Sequence, residues 1–417
     1  MKTIGWFDSL PTAWSSRRLK FAAKLGNART DGRPDDARYL GLENVESWTG
    51  RLLESEPTSG NAEDAVGADS VVNCFEGGDV LFGKLRPYLA KGHFAEAPGV
   101  CTTELLVTKP VRDVDGKFLL YAMLSEGFIS LVNSSTFGSK MPRADWDLIG
   151  SVSVPVPPLA EQRAIAKYLD QETGRLDALV AAKERWLDLL AEKRRALITR
   201  AVTRGLNSHA PPRDSGFPWL GQVPKHWRVE RSKWLFKERD ERIDNDDGEM
   251  LTVSHITGVT KRSEKDVNMF EAETTEGYKI CKKGDLAINT LWAWMSAMGI
   301  APCDGIVSPA YNVYTPGPEM DGGYVEALVR MPIFAQEITR YSTGVWSSRL
   351  RLYPEGFFEA WLPVPPLAEQ RTIVAHIATA TAKLDGLRVA AERTIALLKE
   401  RRAALIAAAV TGKLKIN

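Results

Sequence analysis

The sequence predicts an α+β fold: two globular domains of mixed β-sheet and helices in pseudo-twofold tandem repeat, separated by two long antiparallel coiled-coil helices. The nonapeptide ProValProProLeuAlaGluGlnArg occurs at 155–163 and again at 363–371. The segments that begin there, 155–203 and 363–411, are identical at 27 of 49 positions without a gap. Such agreement indicates a duplication of long period. The stretches outside the repeats differ almost completely, so the duplication kept its helices while the globular parts diverged.

The positions of the repeats divide the chain into five parts. We expect a first globular domain at 1–154, a first helical region at 155–206, a linker at 207–216, a second globular domain at 217–362 and a second helical region at 363–417. A chain of 417 residues with 44% apolar composition is long enough to build two or three cores.

Short apolar runs alternate with turn residues in the first globular domain. Val71–Val72, Asp79–Phe82 and Glu104–Val107 are bounded by Gly, Pro and Asp, a pattern typical of short strands. A longer periodic stretch predicts a helix at Gly116–Val132.

The three prolines of the repeat predict the exit from the globular domain, since proline continues neither a strand ladder nor a helix interior. We expect a short helix to begin near Leu159 and to end near Asp170. Residues 171–174 are predicted to interrupt it, with Thr173 as the cap of a second helix over 175–203.

Apolar residues recur at spacings of three and four along both helical regions, the seam of a coiled coil. Four cations interrupt the spacing; those of the first helix, Lys183 and Arg194, are interpreted as places where the helices part to meet a partner or where long stems reach solvent. A helix of about 29 residues would rise about 40 Å. The predicted seam consists of Leu176, Val180, Leu187, Leu190, Leu197, Leu384, Ile395, Leu398 and Leu405, with Ala201, Ala391 and Ala409.

Three stretches together resemble the specificity subunit of Type I restriction-modification systems. They are the duplicated nonapeptide with its helix, AspSerGlyPheProTrpLeuGlyGlnValProLysHisTrp at 214–227, and AlaValThrGlyLysLeu at 409–414. The resemblance covers essentially the whole chain. It implies that each globular domain is a target recognition domain, and that each reads one half of a bipartite, asymmetric sequence in double-stranded DNA.

The same resemblance implies the partners. The helices would set the spacing of the two half-sites and dock two modification subunits, which are methyltransferases; restriction subunits with nuclease and translocase activity are a further candidate. The chain itself would be a non-catalytic specificity subunit without a cofactor, and S-adenosylmethionine would bind to the modification subunit. Two recognition domains held about 40 Å apart by the helices would be separated by close to one turn of B-DNA, 34–36 Å.

Basic residues near the start and end of each globular domain are the candidate DNA contacts. Arginine can pair with guanine in the major groove, whereas most Lys contacts reach phosphates. The alternative is a solvated charged face. The candidates are Arg17, Arg18, Lys84, Arg86, Lys140, Arg143, Arg231, Lys233, Arg349 and Arg351.

Two further motifs can be explained without a functional role. GlyAspValLeuPheGlyLys at 78–84 matches a P-loop, but Leu85 follows where Ser or Thr is needed and Pro87 blocks the helix that would hold phosphate. Trp292 and Trp294 could form a stacking platform for a base, yet their alternation favours one face of a strand in a core.

The sequence lacks the motifs of the expected partner enzymes. The ProPro pairs at 157, 211 and 365 are followed by Leu, Arg and Leu rather than by the Tyr of an adenine methyltransferase, and no nuclease core is evident. The four cysteines have no metal-binding spacing, so no metal is expected. No apolar run is long enough for a membrane span or a signal peptide, and a cytoplasmic location without membrane association is expected.

Other classes remain open at this level. The chain could serve a related Type II-like system, or be an assembly scaffold without DNA recognition, or be a self-sufficient enzyme. The net charge of +1 does not decide between them, because DNA binding depends on local patches of charge.

Overall fold

The computed structural model describes residues 6–31, 37–53, 71–138, 140–244, 248–265, 274–344 and 350–416. The chain forms two compact units, one from Met1–Glu184 with Glu392–Asn417 and the other from Arg185–Ala391. Each unit therefore combines one globular part with portions of both long helices.

The first unit contains ten strands and the beginning of a long helix. Its strands are β1 Ser15–Arg18, β2 Ala23–Leu25, β3 Arg29–Asp31, β4 Tyr39–Leu40, β5 Val71–Phe75, β6 Val80–Gly83, β7 Gly92–Phe94, β8 Gly99–Cys101, β9 Leu105–Pro110 and β10 Ser153–Val156, counted over the described residues. Its helices are α1 Leu19–Ala22, α2 Gly116–Met123, α3 Glu126–Ser134, α4 Trp146–Ile149 and α5 Leu159–Arg204.

The second unit repeats this order. Its strands are β11 Pro212–Asp214, β12 Gln222–Pro224, β13 Arg228–Arg231, β14 Phe236–Arg239, β15 Leu251–Ser254, β16 Gly258–Lys261, β17 Lys279–Cys281, β18 Leu286–Asn289, β19 Met298–Ile300, β20 Gly305–Val307, β21 Tyr311–Pro316 and β22 Trp361–Val364. Its helices are α6 Ser232–Leu235, α7 Gly322–Val329, α8 Pro332–Arg340, α9 Pro354–Glu359 and α10 Leu367–Val410, whose last turns belong to the first unit.

One four-stranded antiparallel sheet has the same strand order in both units. It runs β2-β9-β6-β7 in the first and β14-β21-β18-β19 in the second. A second sheet of the first unit runs β3-β5-β8-β4, with β4 parallel to β8. In its place the second unit has the two-stranded ladders β15-β16 and β17-β20, of which β17-β20 matches the pair β5-β8. Apolar faces of the common sheet and of α2 and α3, or α7 and α8, close each core.

The predicted strands of the first unit are present as β5, β6 and β9, but the predicted helix over Gly116–Val132 is two helices. Leu124 and Ser125 separate α2 from α3, and Ser125 has extended backbone angles. Its hydroxyl donates to the carbonyl of Ala122 at 2.7 Å. A serine that satisfies the end of one helix and begins the next breaks a segment that is otherwise apolar enough to continue.

The prolines of the repeat do not all mark an exit from strands. Pro155 lies within β10 opposite Ser16, and Pro363 lies within β22 opposite Val229. Each strand belongs to a two-stranded ladder, where the missing proline N–H can face away from the partner. The prediction that Pro155 cannot continue a ladder is therefore wrong.

The helix after the first repeat begins at Leu159 as predicted, but nothing interrupts it at 171–174. It continues for 46 residues to Arg204, so its rise is about 69 Å rather than 40 Å. Thr173 is not a cap, since its hydroxyl donates to the carbonyl of Leu169 within the helix at 2.6 Å. Gly205 ends the helix with φ +71°, as expected of a C-cap glycine.

Candidate nucleic-acid interface

The single glutamine of each nonapeptide fastens a long helix to its globular part. The side-chain Oε1 of Gln162 accepts from the backbone N–H of Asp115 at 2.7 Å, and its Nε2 donates to the carbonyls of Asp113 and Pro157 at 2.9 and 2.8 Å. Gln162 is fully buried. Its amide therefore saturates three backbone groups at the point where α5 meets the loop before α2.

Gln370 makes the same three bonds in the second unit. Its Oε1 accepts from the N–H of Asp321 at 2.8 Å, and its Nε2 donates to the carbonyls of Glu319 and Pro365 at 2.8 and 2.9 Å. Asp115 and Asp321 in turn cap α2 and α7 with their carboxylates. We name each set the glutamine clamp: Gln162 with Asp113, Asp115 and Pro157, and Gln370 with Glu319, Asp321 and Pro365.

The C-terminal end of each long helix packs on a tryptophan. In the first unit α10 ends at Gly412, where a Cβ would lie 2.5 Å from Pro11 and 3.3 Å from Trp14. In the second unit α5 ends at Gly205 beside Trp227, and the hydroxyl of Tyr324 donates to the carbonyl of Val202 at 2.9 Å. Each globular part is thus held by the start of one long helix and by the end of the other.

Ion pairs fix the direction of the helices. In the first unit Arg402 lies 3.0 Å from Asp177 and Lys399 lies 3.3 Å from Glu184, so α10 runs antiparallel to α5 there. In the second unit Arg194 lies 3.9 Å from Asp385. Arg194 therefore faces the other helix and does not mark a place where the helices part.

None of the nine predicted seam residues is exposed. The structure buries Leu176, Leu190, Leu384 and Ile395 and half-buries Val180, Leu187, Leu197, Leu398 and Leu405.

Two loops of the first unit bring four candidate cations together. Leu85 pairs with Arg143 in an isolated bridge, and the N–H of Arg86 donates to the carbonyl of Pro142 at 2.7 Å. Lys84, Arg86, Lys140 and Arg143 therefore belong to adjoining loops, of which Lys140 and Arg143 are exposed. Arg143 also forms an ion pair with Glu104 at 2.9 Å, so part of its charge is already compensated.

The first basic pair lies on β1. Arg17 binds both oxygens of the Asp113 carboxylate, at 3.2 and 2.8 Å. This hydrogen bonding raises the pKa of Arg17 and lowers the pKa of Asp113. Arg17 is therefore engaged within the chain, whereas its half-buried neighbour Arg18 has no carboxylate within ion-pair distance in the described part of the unit.

The candidates of the second unit have aromatic neighbours. Arg231 is paired with Glu359 and lies 5.6 Å from the ring centre of Trp361. Lys233 is exposed and lies 4.8 Å from the ring centre of Trp234, and the guanidinium of Arg351 lies 5.8 Å from that of Tyr353. Arg349 lies outside the described residues.

Trp292 and Trp294 do not lie on one face of a strand. They belong to a turn after β18 that contains the 3-10 segment Ala293–Met295. Trp292 is 49% exposed, and Trp294 is half-buried with its indole N–H donating to the carbonyl of Leu291 at 3.1 Å. The prediction of a core face is wrong for Trp292, because alternation over three residues also fits a tight turn.

The glutamine clamp was not predicted, although the sequence contains a signal for it. The nonapeptide is the longest unbroken identity in the repeat, and Gln162 is a polar residue in it with no evident surface role. Among the described residues no group of three or more His, Cys, Asp and Glu could hold a metal ion. None of the described helices is both long and apolar enough to cross a membrane.

Comparisons with known proteins show what the chain is similar to. Residues 60–184 match the family described as Type I restriction modification DNA specificity domain. The specificity subunit of the Type I restriction enzyme EcoDI of Escherichia coli is 26% identical over 171 residues, which cover 39% of this chain and 35% of the relative. The EcoBI specificity subunit of the same species is 22% identical over 333 residues, 72% of this chain and 65% of the relative. The chain thus matches less than two thirds of the length of each.

Two solved structures share the fold over nearly the whole chain. One comes from work on complex assembly and conformational transition of the type I R-M system, with a TM-score of 0.70, 16% identity and coverage of 98% of this chain and 100% of the other. The HsdS subunit from Thermoanaerobacter tengcongensis gives a TM-score of 0.53 at 16% identity, covering 98% and 99%. The predicted fold class is confirmed. The resemblance to Type I specificity subunits is confirmed as well, by the family model over residues 60–184 and by the similar specificity subunits.

Proposed function

We propose that this chain is the DNA sequence-recognition subunit of a Type I restriction-modification complex. One observation carries the proposal: the two units share the sheet order and the glutamine clamp, while the exposed loops of their globular parts carry unlike side chains. A frame that is repeated and surfaces that differ suit a protein that reads two different half-sites.

The domains follow from this. Residues 1–154 and 217–362 are the two target recognition domains, 155–206 and 363–417 are the helical regions that set the spacing between half-sites, and 207–216 is the linker. Each recognition domain reads one half of a bipartite, asymmetric target in double-stranded DNA. Most of the candidate cations supply the phosphate contacts that hold each domain in register, while an arginine can also pair with guanine.

The helices also offer surfaces for partner subunits. Several large apolar side chains of α5 and α10 remain exposed within their units: Leu179, Leu189, Leu387, Val389 and Leu397. Apolar surface of this kind supports protein docking. Two modification subunits are the proposed occupants, one for each half-site, and restriction subunits would join the same complex.

The chemistry belongs to those partners. The modification subunit binds S-adenosylmethionine and transfers the methyl group to adenine. The present chain acts with it in the cytoplasm, where it supplies the DNA sequence specificity without catalysing a step. The sequence offers no adenine methyltransferase motif of its own.

The test is to express the chain with the methyltransferase subunit encoded beside it and to map methylated adenines in the host genome. A split motif with a fixed gap is expected. A stable complex that methylates no DNA would contradict the proposal and favour an assembly scaffold. Methyl transfer or cleavage by the isolated chain would contradict its non-catalytic role.

A further inference from the structure

A strand-end turn at the same place in both globular parts carries unlike side chains. In the first unit residues 84–90 follow β6, and in the second unit residues 290–296 follow β18. Adding 206 to a residue number converts β6, Val80–Gly83, into β18, Leu286–Asn289, and α2, Gly116–Met123, into α7, Gly322–Val329. The same register places Trp292 at the position of Arg86. We name these two segments the reading turns.

The backbone of both reading turns is fixed by the fold. Each contains a 3-10 segment, Pro87–Leu89 or Ala293–Met295, that ends in a left-handed residue, Ala90 with φ +46° or Ser296 with φ +62°. Arg86 itself has φ +49°. A left-handed conformation is unfavourable for a non-glycine residue and persists where the surrounding structure dictates it. The turns therefore present their side chains on a rigid base.

Arg86 and Trp292, the side chains at the equivalent position, are not fully engaged by contacts within the protein. Arg86 has no carboxylate within ion-pair distance among the described residues, and its Nε is shielded from solvent without a hydrogen-bond partner in that part of the chain. Trp292 is 49% exposed and touches His255 edge-on, with ring centres 6.3 Å apart. Packing within the described residues thus leaves the Arg86 guanidinium without a counter-ion and about half of the Trp292 side chain accessible.

Each reading turn adjoins the loop that carries the candidate phosphate contacts. The first turn pairs with 142–143 through Arg86 and Leu85. The second receives the N–H of Leu352 on the carbonyl of Thr290 at 3.0 Å, next to the bridge between Thr343 and Arg351. A side chain in either turn is thus close to a surface suited to the DNA backbone.

We propose that the reading turns are base-reading elements and that Arg86 and Trp292 read the two half-sites by different chemistry. This rests on the proposed function. Arg86 would donate two hydrogen bonds to O6 and N7 of a guanine in the major groove. Trp292 has one donor and a broad apolar face, so it would pack on a thymine methyl group or on the face of a base. One half-site then depends on a G·C pair and the other on an apolar contact.

The test compares methylation maps of the reconstituted complex carrying single variants. Arg86→Ala should relax one G·C position in one half of the motif, with a loss of discrimination of about 10- to 100-fold, and leave the other half unchanged. Trp292→Ala should relax one position in the opposite half only, and Trp292→Phe should restore most of the preference. Trp234→Ala is the matched control, since Trp234 is 70% exposed in the same unit but lies on α6.

Three results would overturn the inference. Methylation motifs that stay unchanged in both variants would show that the reading turns do not contact the bases. An equal weakening of both halves would indicate a general loss of affinity or folding. Loss of the methyltransferase subunit from the Trp292→Ala complex, measured by native mass spectrometry, would make the turn a protein contact. Failure of the proposed function is distinct, because the unaltered complex would then show no split motif.

Discussion

Arg402 with Asp177 in the first unit and Arg194 with Asp385 in the second are one ion pair that the duplication produced twice, since each partner lies 208 residues from its counterpart. Their surroundings differ. The side chains of Arg402 and Asp177 are each 10% exposed, whereas those of Arg194 and Asp385 are 45% and 48% exposed. Identical residues at matching helix positions thus have unlike roles.

The difference comes from the globular part, not from the helices. In the first unit the loop 46–51 covers the pair, because Arg402 donates to the carbonyl of Trp48 at 2.9 Å and Arg51 lies 3.5 Å from Asp177. In the second unit Arg330 holds the carbonyl of Ile256 at 2.6 Å instead, and a cleft of about 610 Å³ remains beside Arg194. The loop 46–51 therefore accounts for the burial of the ion pair in the first unit.

The largest effect is expected at the buried pair. Arg402→Ala should lower the free energy of opening of the first unit by about 3–5 kcal/mol, because it leaves the Asp177 carboxylate buried without its main partner. Arg194→Ala should cost the second unit less than about 1 kcal/mol, as exposed ion pairs usually do. Native-state hydrogen exchange, resolved by peptides of each unit, measures both. Equal losses of stability from the two substitutions would contradict the difference between the two ion pairs.

The glutamine clamps should behave alike in the two units. Gln162→Ala and Gln370→Ala each leave one N–H and two carbonyls without their partner, and each should cost about 2–3 kcal/mol in its own unit. Gln171→Ala, at an exposed glutamine of α5, is the control and should change little. The same exchange experiment applies. A clamp variant as stable as the control would show that the repeated nonapeptide is kept for another reason.

A hydroxyl present in only one unit should have a smaller effect. The hydroxyl of Tyr324 donates to the carbonyl of Val202 at 2.9 Å, with the carbonyl of Pro363 at 3.2 Å, and Phe118 occupies the equivalent position of the first unit. Tyr324→Phe should cost the second unit about 1–2 kcal/mol, since the buried carbonyl of Val202 loses its donor. Thermal unfolding followed by tryptophan fluorescence should show a lower midpoint. An unchanged midpoint would mean that the helix end is held by packing alone.

The smallest effects concern DNA affinity. Arg143→Ala and Arg351→Ala should each flatten the slope of log affinity against log salt by about one unit if they touch phosphate. Arg351→Ala should weaken DNA binding more than Arg143→Ala, because Arg143 must first break its ion pair with Glu104 to contact phosphate. Fluorescence anisotropy of the reconstituted complex at two salt concentrations measures this. Affinities that do not change at either concentration would exclude both residues as contacts.

Local patterns predicted much of this architecture. Three strands of the first unit, β5, β6 and β9, the start of α5 at Leu159 and its end at Gly205 follow from proline, glycine and apolar spacing. The break at 171–174 was wrongly predicted because a Thr and a Gly weaken a helix only slightly when a core supports it. Tyr121 supplies that support, since its hydroxyl donates to the carboxylate of Asp170 at 2.8 Å.

Contacts between distant parts of the sequence could not be predicted in this way. The burial of Arg402 depends on Trp48 and Arg51, more than 300 residues away in the chain. The clamp of Gln162 depends on the loop at 113–115, about 50 residues away. The candidate cations could be found by composition, but their pairing with Asp113, Glu104 and Glu359 required the fold.

The most direct test of the central claim is to exchange residues 1–154 for the corresponding domain of another specificity subunit and to map methylated adenines again. The account predicts that one half of the split motif changes while the other half and the gap stay the same. A change in both halves, or an unchanged motif in an intact complex, would contradict the assignment of one half-site to each domain.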